Sequence, residues 1–498
     1  MRICGRWAWI AAATMLMLVA APAALADNAH GPKVDDRVAL AADSASATAQ
    51  IPVIVFGANL DRDPSLSGLT HKHDFDIAVA GTVEADQLDA LAADPSVAYV
   101  APDVAMTPLA KPVRSGAPLS FPGLKSLYPV TDGAPAAWAR GLTGEGVGIA
   151  VIDSGLDPND FGSRVQAKTG PLGGADTYGH GSIVADVAAG VYNACEYAGI
   201  APAANVIDVS VAYPAGTYTS DVLAALVWVL VNKQAYNIRV VNLSLGETTP
   251  STYTSSILDT AVELLWQNGI VVVAAAGNLG AGSAQFAPAN DPFAISVGAT
   301  DTMGTADPSD DRLTPWSTFG TTLDGFTKPD VVAPGRLVPG YLAADTTLGA
   351  EAPAENWVAD DYVTISGTSF AAPQVSGAAA ILLQEHPSWT PDQVKWVLAR
   401  TARPVPGSTA GTLDLAAATS LTGNPPSANA GVSYSGFGLP TWVDNLLSGA
   451  TWQHNSWNQN NWNHNSWNAA DWNHNSWNGD AWDHNSWNHN SWNDEGWH

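Results

Sequence analysis

Gly367-Thr368-Ser369-Phe370-Ala371-Ala372-Pro373 sets a serine at the start of a segment of small residues that continues as Ser376-Gly-Ala-Ala-Ala-Ile-Leu-Leu383. A proline is tolerated in the first turn of a helix, so the pattern predicts a helix beginning beside Ser369. Working outward, three further blocks stand upstream. Val151-Ile-Asp153-Ser-Gly155 ends an apolar strand, Tyr178-Gly-His180-Gly181 centres on a histidine, and Ala274-Ala-Ala-Gly277-Asn278 closes on an amide. The strand Gly146-Val-Gly-Ile-Ala-Val-Ile152 is followed by Val206–Val211, Ile238–Ser244 and Ile270–Ala275, with helical segments such as Ser220–Val231 between them. Near-continuous apolar strands joined by helices predict an α/β fold, a mainly parallel sheet with helices on both faces. Ligands bind such sheets beyond the carboxyl ends of the strands, where Asp153 and Asn278 fall.

The four blocks match a demand of chemistry. A serine hydroxyl becomes a nucleophile when a base takes its proton, and imidazole, which titrates near neutral pH, suits His180. The imidazole needs one tautomer and a counter-charge, which a buried carboxylate such as Asp153 supplies. The start of the Ser369 helix adds partial positive charge where an oxyanion would form, and the Asn278 amide is a second donor to it. Each residue alone also fits a turn or a helix cap. The order Asp, His, Ser with four coherent contexts is what gives the set its weight.

These blocks resemble the subtilase family of serine endoproteases. The resemblance implies a triad of Asp153, His180 and Ser369 with Asn278 as oxyanion donor. It also implies that Val241-Asn-Leu-Ser244-Leu245-Gly246 pairs with substrate backbone and that Ala275, Ala276 and Gly277 form the opposite wall of the first specificity pocket. Leu279 stands where many relatives carry a carboxylate near the pocket floor, so the expected preference is for apolar side chains over Lys or Arg. Ala198-Gly-Ile-Ala-Pro202 and Lys328–Gly335 match further family blocks and read as structural. Two positions depart from the family pattern: Asp186 replaces a small residue, which puts the local packing in question, and Phe370 replaces methionine. No cofactor is required for the chemistry. Calcium is the structural ion the family leads one to expect, and Asp307, Asp310 and Asp311 make an acidic run, but no ligand spacing names a site.

Around this domain, placed at residues 125–421, the chain divides further. Residues 1–26 read as a secretory signal peptide, with Arg2 and Arg6 before an apolar run and Ala24-Leu-Ala26 as cleavage site. No later stretch is long enough to span a bilayer, so a secreted protein with no transmembrane anchor is expected. Residues 27–49 read as a linker. Residues 50–106 carry strands at 51–56, 76–80 and 98–101 and a helix over 84–92. This small α+β unit resembles the prodomain of subtilases, a transient inhibitor released by processing; the alternative is a small domain that stays attached. Residues 107–124 and 422–450 read as linkers. The net charge of −27 argues against a nucleic-acid partner and leaves protein or peptide substrates. Once Cys4 leaves with the signal peptide only Cys195 is left, so no internal disulfide forms.

In residues 451–498 tryptophan recurs at every fifth position from Trp452 to Trp497 within His-Asn-Ser-Trp-Asn repeats. A step of five makes no one-sided face on a helix or a strand. The composition fits disorder, and also sugar stacking on cell-wall glycan, a square β-solenoid or metal capture. If the tail carried the function, the chain would be a surface-binding or adhesion protein with an inert catalytic domain. The intact triad favours a secreted endopeptidase.

Overall fold

The computed structural model describes residues 30–57, 60, 66, 68–74, 78–109, 124–157, 161–169, 176–191, 197–211 and 216–435. The signal-peptide segment, Cys195 and the tryptophan tail lie outside the described residues. Two compact units are present, divided between Asp103 and Val104.

In the first unit the four strands Thr70–Asp74, Ala78–Glu84, Gln50–Gly57 and Val97–Pro102 lie in that order in one antiparallel sheet. Alternate residues of Gln50–Gly57, namely Ile51, Val53 and Val55, share a core with Val38 and Ala42 of the helix Asp36–Asp43 and with Leu88 and Leu91 of the helix Leu88–Ala93. This is the period-two face of a strand meeting the three-to-four spacing of helices. The helix expected over 84–92 starts with a 3-10 turn, Ala85–Gln87. Residues 27–49 are not simply a linker: Asp35 caps the helix Asp36–Asp43 by accepting from the Arg37 amide.

The second unit is built on an eight-stranded sheet. Its order is Arg312–Leu313, Ile295–Asp301, Val271–Ala275, Ile238–Leu243, Gly148–Asp153, Asn205–Ser210 and Val165–Thr169, with Val331–Pro334 also pairing Ile295–Asp301. All pairs are parallel except the one made by Arg312–Leu313. Every residue of Gly148–Asp153 and of Val271–Ala275 is buried, so both faces of the sheet are covered, as their near-continuous apolar runs require. The helix Thr368–Glu385 packs on His180–Ala189, and Thr219–Asn232 packs on Ile257–Gln267. The first pair comes close because Gly377 has no side chain; a Cβ there would sit 2.7 Å from the Ala188 carbonyl oxygen.

Three neighbouring strands matter most. Gly148–Asp153, Ile238–Leu243 and Val271–Ala275 are adjacent and parallel, so Asp153, Ser244 and Asn278 emerge at the same end of the sheet. Two boundaries differ from the sequence reading. Residues 105–108, split there between the first unit and a linker, form a strand in the second unit, paired to Leu245–Glu247 and Thr217–Tyr218. Residues up to 435, assigned to a linker from 422, are docked on the same unit. The Ser435 amide and hydroxyl donate to Glu263, and Tyr434 stacks on Phe293 with centroids 4.1 Å apart. No helix of the described residues is long and apolar enough to cross a membrane.

Candidate active site

Asp153 is the last residue of its strand and fully buried. Its Oδ1 lies 2.7 Å from His180 Nδ1 and also accepts from the Ser154 amide. His180 opens the helix His180–Ala189, and its ring stands against Phe370, with centroids 5.4 Å apart. The pair meets because Gly181 lets the helix start touch the strand turn. A Cβ on Gly181 would fall 2.2 Å from the Gly155 carbonyl oxygen and 3.1 Å from Asp153 Cβ. Carboxylate and imidazole in a dry setting fix the tautomer with the proton on Nδ1, leaving Nε2 to act as base. Among the described residues Nε2 has no hydrogen-bond partner.

A residue that the sequence reading did not single out, Asp176, organises this corner. Its Oδ1 accepts from the Ser154 hydroxyl and the Gly179 amide, and its Oδ2 from the Ser182 amide and hydroxyl. It therefore satisfies backbone donors at the start of the His180 helix, which lack partners within the helix. The Ser154 hydroxyl, tied to Asp176, in turn accepts from the Gly181 amide. Asp-Thr-Tyr-Gly-His offered a signal in hindsight, an aspartate four residues before the histidine.

Ser369 is the second residue of the helix Thr368–Glu385. Pro373 sits one turn in, as the sixth helical residue, beyond the first turn expected from sequence. A residue there would normally donate to the Ser369 carbonyl, and proline cannot. The Ser244 hydroxyl takes that role, donating to the Ser369 carbonyl at 2.9 Å. Asn242 Nδ2 donates to Ser244 Oγ, and Ser376 Oγ donates to Asn242 Oδ1. A buried polar chain thus ties the nucleophile's backbone to the strand end. The Ser369 hydroxyl itself donates to the Ser244 carbonyl at 3.1 Å, so the structure unites Asp153 with His180 but does not hydrogen-bond Ser369 to His180.

Residues 105–109 occupy the cleft. The Leu109 amide donates to the Ser244 carbonyl at 3.2 Å, and Pro108, Thr107 and Met106 stand opposite Leu245, Gly246 and Glu247. The Leu109 carbonyl oxygen accepts from the Ser369 amide at 3.4 Å and from the Asn278 side chain. The Ser369 amide is among the helix-start donors without an intrahelical partner, which is why it is free to point there. Asn278 is oriented by Thr368, whose amide and hydroxyl both donate to Oδ1, at 3.0 and 3.2 Å. Thr368 was not singled out from sequence either. Its hydroxyl also accepts from the Gly277 amide. Gly277 has φ +107, and a Cβ there would meet Thr318 Oγ1 at 2.9 Å, so this wall needs glycine.

The other expected substrate contacts divide. Gly246 borders the Leu109 side chain, since a Cβ on it would lie 3.4 Å from Leu109 Cδ1. Ala275 ends its strand and Ala276 donates its amide to Val297, both as backbone. Leu279 is 65 % exposed, and its amide donates to Thr318 Oγ1. Asp186, the departure in the His180 helix, is buried and accepts from the Tyr341 amide at 3.0 Å, which accommodates the carboxylate. In the acidic run, Asp310 takes the Thr305 hydroxyl, Asp307 the Ser309 amide, and Asp311 is buried. Among the described residues no three His, Cys, Asp or Glu side chains are grouped to hold a metal.

Residues 144–432 match the family model described as Subtilase family. The alkaline protease of Shouchella clausii is 33% identical over 336 residues, covering 66% of this chain and 76% of that protein. Subtilisin E of Bacillus subtilis is 33% identical over 336 residues, covering 65% and 75%, and the serine protease AprX of the same species 36% over 278, covering 52% and 61%. The crystal structure of fervidolysin from Fervidobacterium pennivorans, a keratinolytic enzyme related to subtilisin, is similar in fold, with TM-score 0.58 and 24% identity. The match covers 76% of this chain and 62% of that one.

Proposed function

The chain belongs to the subtilase family and is a subtilisin-like serine peptidase, and from that premise we propose that it is a secreted endopeptidase made as a zymogen. Ser369 is the nucleophile, His180 the base and Asp153 its counter-charge. The observation that carries the assignment is the convergence on one carbonyl. The Ser369 amide and the Asn278 side chain hold the Leu109 oxygen, while the Asp153–His180 pair is assembled in the same unit.

In this reading the Ser369 hydroxyl leaves the Ser244 carbonyl and turns to His180 Nε2. It attacks the substrate carbonyl as its proton passes to the imidazole. The oxyanion grows between the two donors, which are already in place and require no reorganisation. His180 then delivers the proton to the leaving amine, and water hydrolyses the acyl-enzyme. The first unit acts as the prodomain, and the apolar N-terminal run with its Ala24-Leu-Ala26 site supports export. Calcium is retained as a candidate structural ion without an assigned site. The tryptophan tail is a candidate glycan-binding appendage on sequence alone.

The test is a comparison of wild type with Ser369→Ala, reading intact masses and casein hydrolysis. Wild type is expected to shorten and hydrolyse casein, and the variant to do neither. A variant that still does both would remove Ser369 from the mechanism.

A further inference from the structure

We propose that Asp186 is a positioning residue for the hydrolysis. Its carboxyl group ties the helix that carries His180 to the strand that runs into Ser369, and so sets the distance over which the serine proton reaches the imidazole. The proposal rests on the endopeptidase reading and goes further, by giving a role to a residue that touches neither the substrate nor the reacting atoms.

Asp186 lies within the buried helix His180–Ala189 and is itself only 2% exposed. A carboxyl group taken out of water is kept where protein donors replace the lost hydration. Two such donors come from one place, a three-stranded sheet in the order Val338–Tyr341, Tyr362–Ile365, Trp357–Ala359. The Tyr341 amide donates to Asp186 Oδ2 at 3.0 Å, and the Tyr362 hydroxyl donates to Oδ1 at 3.5 Å. Tyr341 and Tyr362 stand opposite each other in the antiparallel pair, so Asp186 engages both strands at one register. Gly190 leaves the room for this, since a Cβ there would fall 2.0 Å from Asp186 Oδ1.

The strand pair reaches the supports of all three members of the triad. Val338–Tyr341 is seated on the His180 helix, where a Cβ on Gly340 would lie 2.5 Å from Ile183 Cγ2. The Tyr341 hydroxyl donates to Asp157 Oδ2 at 2.9 Å, just past the turn after Asp153, and the Asp157 amide donates to Ser182 Oγ at 3.0 Å. Tyr362–Ile365 continues through Ser366 and Gly367 into the helix Thr368–Glu385. That junction is held by the Leu337 amide on Ser366 Oγ and the Gly367 amide on the Gly335 carbonyl. The tie matters because Ser369 and His180 are not hydrogen-bonded in the structure. The serine hydroxyl rests on the Ser244 carbonyl, and His180 Nε2 has no hydrogen-bond partner among the described residues. When Ser369 turns, the length of the bond it makes is decided by how far apart the two helix starts stand. A misplacement of about 1 Å between reacting groups costs about 10²-fold in rate.

The test expresses the full chain and measures the matured enzyme, with active sites counted by fluorophosphonate titration. Asp186→Ala should lower kcat on a chromogenic peptide and the rate of phosphonylation of Ser369 together, each about tenfold, with KM within about twofold of wild type. Asp186→Asn keeps an acceptor oxygen for the Tyr341 amide, so both rates should stay within about threefold of wild type. A residue that only supports packing would lower the Tm of the Ala variant, read in the Ser369→Ala background, and leave kcat per active site unchanged. Where Asp186→Ala does not mature, Gly190→Ala takes its place, because its methyl group displaces the carboxyl, and the same paired losses are expected. Wild-type kcat per active site in folded Asp186→Ala, or a loss in Asp186→Asn as large as in Asp186→Ala, overturns the proposal and leaves the endopeptidase reading standing. A wild type that hydrolyses no peptide and leaves Ser369 unlabelled overturns the reading beneath it.

Discussion

Thr368 donates both its amide and its hydroxyl to the side-chain oxygen of Asn278, at 3.0 and 3.2 Å. That double contact turns the Asn278 amide nitrogen toward the carbonyl it must stabilise, here that of Leu109. Asn278→Ala should therefore lower kcat by about 10²–10³-fold with little change in KM, as for an oxyanion donor that acts in the transition state. Thr368→Val keeps the backbone donor and loses the hydroxyl, so a smaller loss, about tenfold, is expected in kcat. Steady-state kinetics on a chromogenic peptide checks both. Equal losses in kcat and affinity would mean that Thr368 shapes the cleft and does not orient the donor.

The serine that links strand and nucleophile gives a stability prediction. Ser244→Ala leaves the Ser369 carbonyl without its donor, because Pro373 cannot supply one. An unsatisfied buried acceptor costs about 1–3 kcal/mol. In a Ser369→Ala background, which prevents self-digestion, calorimetry should show a lower Tm. Pro373→Ala restores a backbone amide one turn along, so it should recover part of that loss. No loss on Ser244→Ala would show that the contact carries no stability.

A buried acid sets a pH dependence. Asp311 has both carboxylate oxygens without hydrogen-bond partners among the described residues. Burial raises its pKa to about 7, opposed by Arg403 and reinforced by Asp310. Because the folded value lies above the unfolded one, the folded state holds the proton more tightly. The associated stability is full below about pH 4 and is lost as pH rises to about 7. Asp311→Asn, again in the Ser369→Ala background, should match the parent in Tm near pH 4 and exceed it by several degrees at pH 8. Parallel Tm profiles across that range would contradict the assignment.

Much of this was legible in the chain because it is local. The apolar strands show by their continuity, and the sequence neighbours of Asp153, His180, Asn278 and Ser369 carry the strand ends, turn and helix start that place them. What escaped is what depends on distant partners. Asp176 reads as one more acidic residue until Ser154, 22 positions away, is seen to donate to it. Thr368 matters through Asn278, 90 positions away. Residues 105–109 carry the proline expected of a linker, and only the edges of two other strands make them a strand. Residues 422–435 have few apolar side chains and are docked through Glu263, Tyr253 and Phe293.

The most direct test of the central assignment is covalent. Mature wild type, His180→Ala and Ser369→Ala are treated with a fluorophosphonate and digested, and the labelled peptide is found by mass spectrometry. The account predicts one phosphonate on Ser369 in wild type, little in His180→Ala where the base is gone, and none in Ser369→Ala. Active wild type that carries the label on another serine, or that hydrolyses protein while Ser369 stays unmodified by excess reagent, would contradict it.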